Sequence, residues 1–179
     1  MKQILSKSIV LIGLMGSGKS AIGKMLSEVV GVPFSDTDSI IEKEVGKKIY
    51  HIFNDSGERY FRRVEEKVVA RTLEDNAHII STGGGSIVSP TTRNLIKVKS
   101  CSIWIQCDVN IIAKRILNQG NRPLLANKNI VDTLMEKNKK RIKFYRQADI
   151  HILNENPNLE VTVDVIIENL FLNKVINTP

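Results

Sequence analysis

The sequence predicts an α/β fold, a three-layer αβα sandwich in which helices cover both faces of a five-stranded parallel sheet. Short apolar runs alternate along the chain with segments of helical periodicity, the pattern of parallel strands joined by helices. A glycine-rich turn, Gly13 to Gly18, joins the first apolar run to the helical segment after it. No internal repeat, low-complexity tract or long linker divides the chain, so residues 1–179 are expected to form one domain.

Each element follows from this alternation. The first run is expected to be the central strand, because the glycine-rich turn leaves from it. Residues 46–57 and 118–129 are polar and turn-rich, and each is either a lid or a plain surface loop. The predicted strands are Ser8–Ile12, Pro33–Ser35, His78–Ser81, Ser100–Gln106 and Asp149–Leu153. The predicted helices are Lys19–Val30, Asp38–Val45, Ile49–Asn54, Glu58–Asp75, Pro90–Val98, Asn110–Asn118, Asn129–Ala148 and Leu159–Phe171.

The composition is that of an ordinary globular protein, with 42% hydrophobic and 25% charged residues. No apolar run approaches the roughly 18 residues that a membrane helix needs, so no membrane partner is expected. Cys101 and Cys107 would lie about 20 Å apart in an extended strand, too far for a disulfide. Free thiols indicate a reducing compartment, and the histidines show no metal-ligand spacing. We therefore expect a cytoplasmic protein.

A net charge of +7 admits either a nucleic acid or a small polyanionic substrate as partner. The densest basic cluster, Lys137 to Arg146, falls on a predicted helix and lacks the signatures of nucleic-acid-binding motifs. Most of its lysines are interpreted as a solvated face. A non-catalytic nucleotide- or nucleic-acid-binding module is therefore the alternative, and the binding of a small-molecule substrate is the preferred interpretation.

Residues 13–20, GLMGSGKS, match the pattern of a phosphate-binding loop. Its glycines let backbone N–H groups surround phosphate oxygens, and the following helix directs its positive end at the same anion. Lys19 is expected to reach the β- and γ-phosphates, and Ser20 to hold Mg²⁺. A structural turn before a helix is the alternative. The segment predicts a nucleoside triphosphate site formed by Gly13, Gly16, Ser17, Gly18, Lys19, Ser20 and Ala21.

Two carboxylates, Asp36 and Asp38, follow the second predicted strand. Side chains at this position project toward the ligand edge of an α/β sheet. One carboxylate could bind Mg²⁺ through water, and the other could accept a hydrogen bond from an attacking hydroxyl. The alternative is that one of them caps the helix that follows. Taken alone, this pair favours the cap.

Two later segments carry further candidate residues. Arg62 and Glu65 lie on one face of a predicted helix, where the glutamate could hold the arginine's fork in place for a carboxylate. A surface ion pair is the default alternative. Three glycines, Gly83 to Gly85, follow the third predicted strand and let the backbone approach a ligand closely. Their alternative is a flexible turn.

Together these segments resemble shikimate kinases. The shared features, in order, are the 13–20 loop, Asp36 and Asp38 in D-T-D, F-R-x-x-E at 61–65, T-G-G-G at 82–85 and R-P-L-L at 122–125. The resemblance covers nearly the whole chain. It implies a P-loop kinase fold with a substrate-binding segment at about 37–62 and a lid at about 118–129. It also implies transfer of the γ-phosphoryl group of ATP to the 3-hydroxyl of shikimate with Mg²⁺, a step of the pathway to chorismate.

The resemblance also implies roles for single residues. Lys19, Asp38 and Arg122 are the expected catalytic residues, with Arg122 closing over the phosphates. Arg115 would stack on adenine, and the loop from Asn154 to Pro157 would lie on its other side. Asp36 would support Mg²⁺ through water together with Ser20. The shikimate ligands implied are Asp38, Arg62, Gly83, Gly84, Gly85 and Arg141, with Glu65 orienting Arg62.

One departure from the family pattern concerns the second carboxylate arginine. The family has R-x-P-x-Y before its last strand, and here Lys143 replaces the proline. Anchoring on Tyr145 selects Arg141, whereas anchoring on Ala148 selects Lys140. Arg141 is preferred because a planar fork suits a carboxylate. A monomer that binds ATP and shikimate is expected. The nearest alternative is another small-molecule kinase of this fold, such as gluconate kinase.

Overall fold

The computed structural model describes residues 5–118 and 129–176. Within them, one parallel sheet has the strand order β2-β3-β1-β4-β5. The strands are β1 (Ser8–Ile12), β2 (Phe34–Asp36), β3 (Ile79–Ser81), β4 (Ser100–Gln106) and β5 (Ile150–Leu153). Ile9 of β1 pairs with Ile79 on one side and with Cys101 on the other. The five-stranded parallel sheet and the central position of β1 are confirmed.

Seven α-helices accompany these strands in the same two ranges. They are α1 (Lys19–Val30), α2 (Thr37–Val45), α3 (Ile49–Thr72), α4 (Pro90–Lys99), α5 (Val109–Asn118), α6 (Ile130–Tyr145) and α7 (Leu159–Leu172). A short 3₁₀ helix, Ser86–Val88, follows β3. The predicted lid lies outside the described residues except for its two ends, and so does Arg122.

The core divides into layers because successive strand residues face opposite sides of the sheet. Ile9 and Leu11 pack with Ile22 and Leu26 of α1 and with residues of α7. Val10 and Ile12 face the other layer, which includes Leu134 and Tyr145 of α6. The central strand is buried along its whole length, as a strand covered on both faces must be. The predicted three-layer arrangement is therefore confirmed.

The helical segment α3 is divided by a kink. Two helices were expected, Ile49–Asn54 and Glu58–Asp75, and the backbone of Gly57 is non-helical (φ +79°, ψ 167°), so the predicted division is present within α3. That backbone conformation is open to glycine and costly for other residues. Phe61 and Val68 then pack beside Ile41 of α2 and Ile52. The kink lets both parts of α3 cover one apolar cluster.

Two smaller expectations can be compared with the structure. Cys101 and Cys107 are free thiols, as predicted. Among the residues that the structure describes, no helix combines the length and hydrophobicity required to cross a membrane. Leu5, which precedes β1, forms an antiparallel bridge with Ile176, which follows α7.

Candidate active site

The phosphate loop, residues 13–20, connects β1 to α1 at the carboxyl edge of the sheet. Gly13, Gly16 and Gly18 have φ values of +142°, +77° and +99°, which bend the backbone into a tight curl. The ammonium of Lys19 lies inside the curl, where it donates to the carbonyls of Gly13 (2.9 Å) and Leu14 (2.8 Å). Lys19 is 7% exposed. The loop therefore holds its one lysine at the centre of a ring of backbone groups.

Ser20 and Asp36 form an oxygen-rich corner beside this loop. The Ser20 hydroxyl donates to Oδ2 of Asp36 (2.6 Å) and lies 3.3 Å from the Ser81 hydroxyl. Oδ1 of Asp36 accepts from the backbone N–H groups of Asp38 (3.0 Å) and Ser39 (3.2 Å), so Asp36 also caps α2. The capping alternative is right for Asp36, yet its second oxygen still faces the phosphate loop. One oxygen of the carboxylate thus caps α2, and the other accepts from Ser20.

The glycine loop, Thr82–Gly85, follows β3 and is the point at which the site's segments meet. A side chain at Gly83 would bring its Cβ to 2.7 Å from both Oδ1 of Asp38 and Oε1 of Glu65. A Cβ at Gly84 would lie 2.9 Å from the backbone nitrogen of Met15, in the phosphate loop. At Gly85 it would lie 2.6 Å from Nη1 of Arg62. Gly84 faces backbone that cannot move aside, whereas Gly83 and Gly85 lie against the ends of side chains, and this close packing argues against a flexible turn.

Arg62 is held by two carboxylates of α3. Its Nη1 donates to Oε2 of Glu65 (2.6 Å), and its Nε and Nη2 donate to Oε1 of Glu58 (3.2 and 3.1 Å). Burial opposes the charge of Arg62, but both carboxylates outweigh it and raise its pKa. Glu65 is 2% exposed, and its other oxygen accepts from the hydroxyl of Ser86 (2.7 Å). Arg62 is therefore half-buried and oriented by a fully buried carboxylate, unlike the surface ion pair of the alternative.

The last helix of this site, α6, contributes Arg141 and Tyr145. Nη1 of Arg141 (3.1 Å) and the hydroxyl of Tyr145 (2.5 Å) both donate to the carbonyl of Gly84. Burial raises the pKa of Tyr145 to about 12, so the phenol stays protonated and remains a donor. Lys140 instead pairs with Glu136 at the surface, with its side chain 71% exposed. The geometry thus places Arg141, and not Lys140, against the glycine loop.

Lys137 is half-buried, whereas Lys139 and Lys140 of the same basic cluster are exposed, so Lys137 is an exception to the solvated face expected for most of these lysines. Burial, and then the positive charge of Arg141, lower the pKa of Lys137, while Glu58 opposes the shift and Arg62 adds to it. Lys137 precedes Arg141 by four residues, so both lie on one face of α6. This spacing could have indicated that Lys137 lies on the same face as Arg141, but the neighbouring lysines made it hard to distinguish. Glu58 and Ser86 were also missed, because neither belongs to a recognised motif.

At the opposite end of the phosphate loop, Arg115 of α5 and Asn154 lie in contact. Nη2 of Arg115 donates to the backbone carbonyl of Asn154 (3.3 Å), and Nη1 lies 3.5 Å from Sγ of Cys107. Pro157 is exposed three residues further on, and Ala21 is exposed at the start of α1. The structure thus brings Arg115 to the predicted adenine loop. Asn154 itself is fully buried, and its side chain contacts the phosphate loop's backbone.

The arrangement of these groups can be compared with known proteins. Residues 15–171 match the family model for shikimate kinase. A shikimate kinase of Caulobacter vibrioides (strain NA1000 / CB15N) is 40% identical over 165 residues, which span 92% of this chain and 82% of that protein. A shikimate kinase of Zymomonas mobilis is 37% identical over 161 residues, which span 90% and 92% of the two chains.

Solved structures agree with the sequence relatives. The structure of shikimate kinase from Acinetobacter baumannii in complex with shikimate superposes with a TM-score of 0.89 at 31% identity, covering 94% of each chain. The predicted resemblance is confirmed on both sequence and fold. The chain belongs to the shikimate kinase family and is a phosphotransferase with a P-loop kinase fold.

Proposed function

We propose that the protein transfers the γ-phosphoryl group of ATP to the 3-hydroxyl of shikimate, and that its described side chains divide into a nucleotide half and an acceptor half. The nucleotide half comprises the phosphate loop, Arg115 and Asn154. The acceptor half comprises Asp38, Arg62, Glu65, the glycine loop and Arg141. One observation carries this proposal. The glycine loop contacts the phosphate loop at Gly84, while Asp38 and Glu65 converge on Gly83 and Arg62 packs on Gly85.

In the acceptor half, Arg62 and Arg141 bind the substrate carboxylate. Both guanidinium groups reach the glycine loop from different helices, Arg62 from α3 and Arg141 from α6. A guanidinium fork matches a carboxylate with two parallel hydrogen bonds. The buried Glu65 fixes the orientation of Arg62, so little rotamer freedom is lost when the substrate binds. This rigid clamp is the proximity contribution to catalysis.

Phosphoryl transfer requires alignment and charge neutralisation more than covalent chemistry. Asp38 lies where the acceptor half meets the phosphate loop, and its carboxylate accepts a hydrogen bond from the attacking hydroxyl and takes its proton. Lys19 stabilises negative charge on the β- and γ-phosphates. Arg122, which lies outside the described residues, is assigned to the same phosphates by the family resemblance alone.

The residues beside the phosphate loop fit Mg²⁺, which we propose as the cofactor that accompanies ATP. The corner formed by Ser20 and Asp36 offers hydroxyl and carboxylate oxygens, the hard ligands that Mg²⁺ prefers. Mg²⁺ keeps several of its waters, so one hydroxyl with a carboxylate behind water suffices. When bound, Mg²⁺ supplies positive charge to the phosphate oxygens. In residues 5–118 and 129–176, no cluster of three or more acidic, His or Cys side chains offers a separate metal cage.

ADP formation with shikimate as the only acceptor tests this function. The purified protein is mixed with ATP and MgCl₂, and shikimate, gluconate and nucleoside monophosphates are supplied singly. We expect turnover with shikimate alone, and phosphorus NMR should place the phosphate on the 3-oxygen. The methyl ester of shikimate should raise KM by about 10- to 100-fold, because it loses the charge that both arginines bind. Turnover of gluconate at a comparable rate would contradict the proposed acceptor.

The remaining expectations belong to the same proposal. ATP and Mg²⁺ are available in the cytoplasm, so we place the enzyme there. Both halves of the site are built from one chain, which supports activity as a monomer. Light scattering of the active protein, with and without ligands, tests the oligomeric state.

A further inference from the structure

Asn154 occupies an unusual position for a residue of a ligand-facing loop. It follows β5, is fully buried, and donates from Nδ2 to the backbone carbonyl of Ser17 in the phosphate loop (2.7 Å). The two segments are closely packed, because a side chain at Gly18 would place its Cβ 2.6 Å from the same Nδ2. Asn154 therefore packs directly against the phosphate loop's backbone.

A second buried residue orients this amide from the last helix. Thr162 of α7 is 2% exposed, and its hydroxyl donates to Oδ1 of Asn154 (3.1 Å). Because the oxygen of the Asn154 amide accepts from Thr162, its nitrogen is directed toward Ser17, where it donates to the backbone carbonyl. In buried surroundings, such a hydrogen bond is stronger than in water. The hydroxyl of Thr162 thus fixes which end of the Asn154 amide meets the phosphate loop.

The peptide between Ser17 and Gly18 explains how this contact reaches the ligand. A trans peptide is planar, with its carbonyl and N–H pointing in opposite directions. Holding the carbonyl of Ser17 toward Asn154 therefore holds the N–H of Gly18 in the opposite direction, which is the direction needed in a phosphate-binding curl. The hydrogen bond from Asn154 to the Ser17 carbonyl therefore determines the orientation of the Gly18 N–H, a donor to the ligand.

Asn154 is also tied to the other end of the nucleotide half. Its N–H donates to the carbonyl of Gln106 at the end of β4 (2.8 Å), and its carbonyl accepts from Arg115 (3.3 Å). The residue is thereby anchored to the sheet, and one residue joins the phosphate end of the nucleotide half to the adenine end.

We propose that Asn154 and Thr162 are positioning residues for the nucleotide, with Thr162 acting from α7 through Asn154 on the phosphate loop. This inference rests on the proposed function only in taking the phosphate loop as the nucleotide site. Their loss should weaken nucleotide binding and leave the acceptor half, which they do not contact, unchanged.

Calorimetric titration of the full-length enzyme with MgADP and, separately, with shikimate tests the inference. Asn154→Ala should weaken MgADP binding by about 10- to 100-fold, as seen for other groups that orient a binding residue. Thr162→Val, which keeps the side chain's shape, should weaken it by about 3-fold, the value of one ordinary hydrogen bond. Thr162→Ser keeps the hydroxyl and should restore the wild-type affinity. Shikimate binding should stay unchanged in all three variants.

A double variant and a matched control separate positioning from general stability. Asn154→Ala combined with Thr162→Val should bind MgADP no more weakly than Asn154→Ala alone, because Thr162 acts through Asn154. Thr72→Val removes an equally buried hydroxyl, one that bonds only within α3, and should lower the melting temperature without changing MgADP affinity. If Asn154→Ala does not fold, the two Thr162 variants still decide the matter.

Three results would overturn the inference: unchanged MgADP affinity in Thr162→Val, an equal loss for shikimate, or additive losses in the double variant. Failure of the proposed function is a different result. It would appear as wild-type protein that forms no ADP with shikimate, whereas MgADP titrations need no acceptor.

Discussion

The nucleotide half and the acceptor half are built in different ways. The phosphate loop is a single run of eight residues, 13–20, that surrounds its lysine with backbone groups. The acceptor half gathers groups from α2, α3, the glycine loop and α6, and Arg141 lies 57 positions along the chain from the Gly84 carbonyl that it contacts. Backbone recognition tolerates changes in most side chains, whereas the acceptor half depends on individual charged groups. In the nucleotide half, substitution of one lysine should therefore abolish catalysis. In the acceptor half, substitution at any of several positions should impair specificity.

The largest expected effect lies in the nucleotide half. Lys19→Ala should lower kcat by about 10³-fold, because it removes the loop's own cation from the β- and γ-phosphates. The measurement is ADP release under saturating ATP and shikimate. Circular dichroism and thermal melting serve as the control for folding, and a folded variant with normal kcat would contradict the assignment of Lys19.

The next effect lies where the two halves meet. Asp38→Asn should lower kcat by about 10²- to 10³-fold with little change in nucleotide Kd, since an amide cannot take the hydroxyl's proton. Asp36→Asn should instead weaken Mg²⁺-dependent nucleotide binding, because Asp36 bonds Ser20. Measuring kcat and MgADP Kd for both variants separates the roles. If Asp38→Asn disturbed MgADP binding more than Asp36→Asn, the roles would be reversed.

The same division decides what could be predicted from sequence. The phosphate loop could be predicted because its chemistry is local, and β1, α1 and β4 have the predicted bounds. The pairing of Arg62 with Glu65 followed from helical spacing, but the hydrogen bond from Ser86 to Glu65 depends on the 3₁₀ helix after β3 lying beside α3. The family resemblance alone assigned Arg141 and Gly84 to one site, and the hydrogen bond between them was not predicted.

Some features of the site had no local signal at all. The contact of Asn154 with Ser17 joins residues 137 positions apart in sequence, and it requires β1 and β5 to end at the same edge of the sheet. Lys137 shows the opposite difficulty, since a correct helix carried too many lysines to tell which one faces the site. Tertiary arrangement, and not residue type, distinguishes it from its neighbours.

Within the acceptor half, the arginine fork should matter more than its charge. Arg62→Lys keeps the positive charge but loses bidentate geometry, and should raise KM for shikimate by about 10- to 30-fold. KM for ATP should change by less than about 2-fold, because Arg62 does not contact the phosphate loop. Steady-state kinetics with each substrate varied in turn provides the comparison. Equal losses for both substrates would place Arg62 outside the acceptor half.

Two carboxylates on the same arginine offer a matched pair. Glu65→Gln should raise KM for shikimate by about 5- to 10-fold, because a 2% exposed partner loses its charge. Glu58→Gln removes the same charge from a side chain that is 66% exposed, where solvent screens the pair, and should change KM by less than about 2-fold. Similar KM values for the two variants would show that burial does not govern how Arg62 is held.

The smallest expected effect concerns Lys137, whose positive charge is unfavourable in the folded protein without substrate. The folded-state pKa of Lys137 is lowered by burial and by Arg141, so its protonated form is disfavoured by folding. Lys137→Met should therefore raise the unfolding free energy near neutral pH, where the wild-type residue is charged. Lys139→Met removes a charge from the exposed, opposite side of α6 and is the matched control. It should leave stability within about 0.5 kcal/mol of the wild type.

The sign of the pH dependence distinguishes this account from a packing effect. Below the folded-state pKa of Lys137, both states are protonated and the wild-type enzyme carries the full penalty. Between that pKa and the ordinary value of 10.5, the unfolded chain binds more protons, so wild-type stability rises with pH. The advantage of Lys137→Met in urea unfolding curves should therefore shrink as the pH rises through the lowered folded-state pKa toward 10.5. Lys137→Met should have the opposite effect on shikimate binding. The carboxylate of shikimate favours a charged Lys137, so the KM for shikimate should rise by about 3-fold in this variant. A stability gain that persists unchanged at high pH would assign the effect to packing, and the excess cation would then belong to the helix surface and not to the acceptor half.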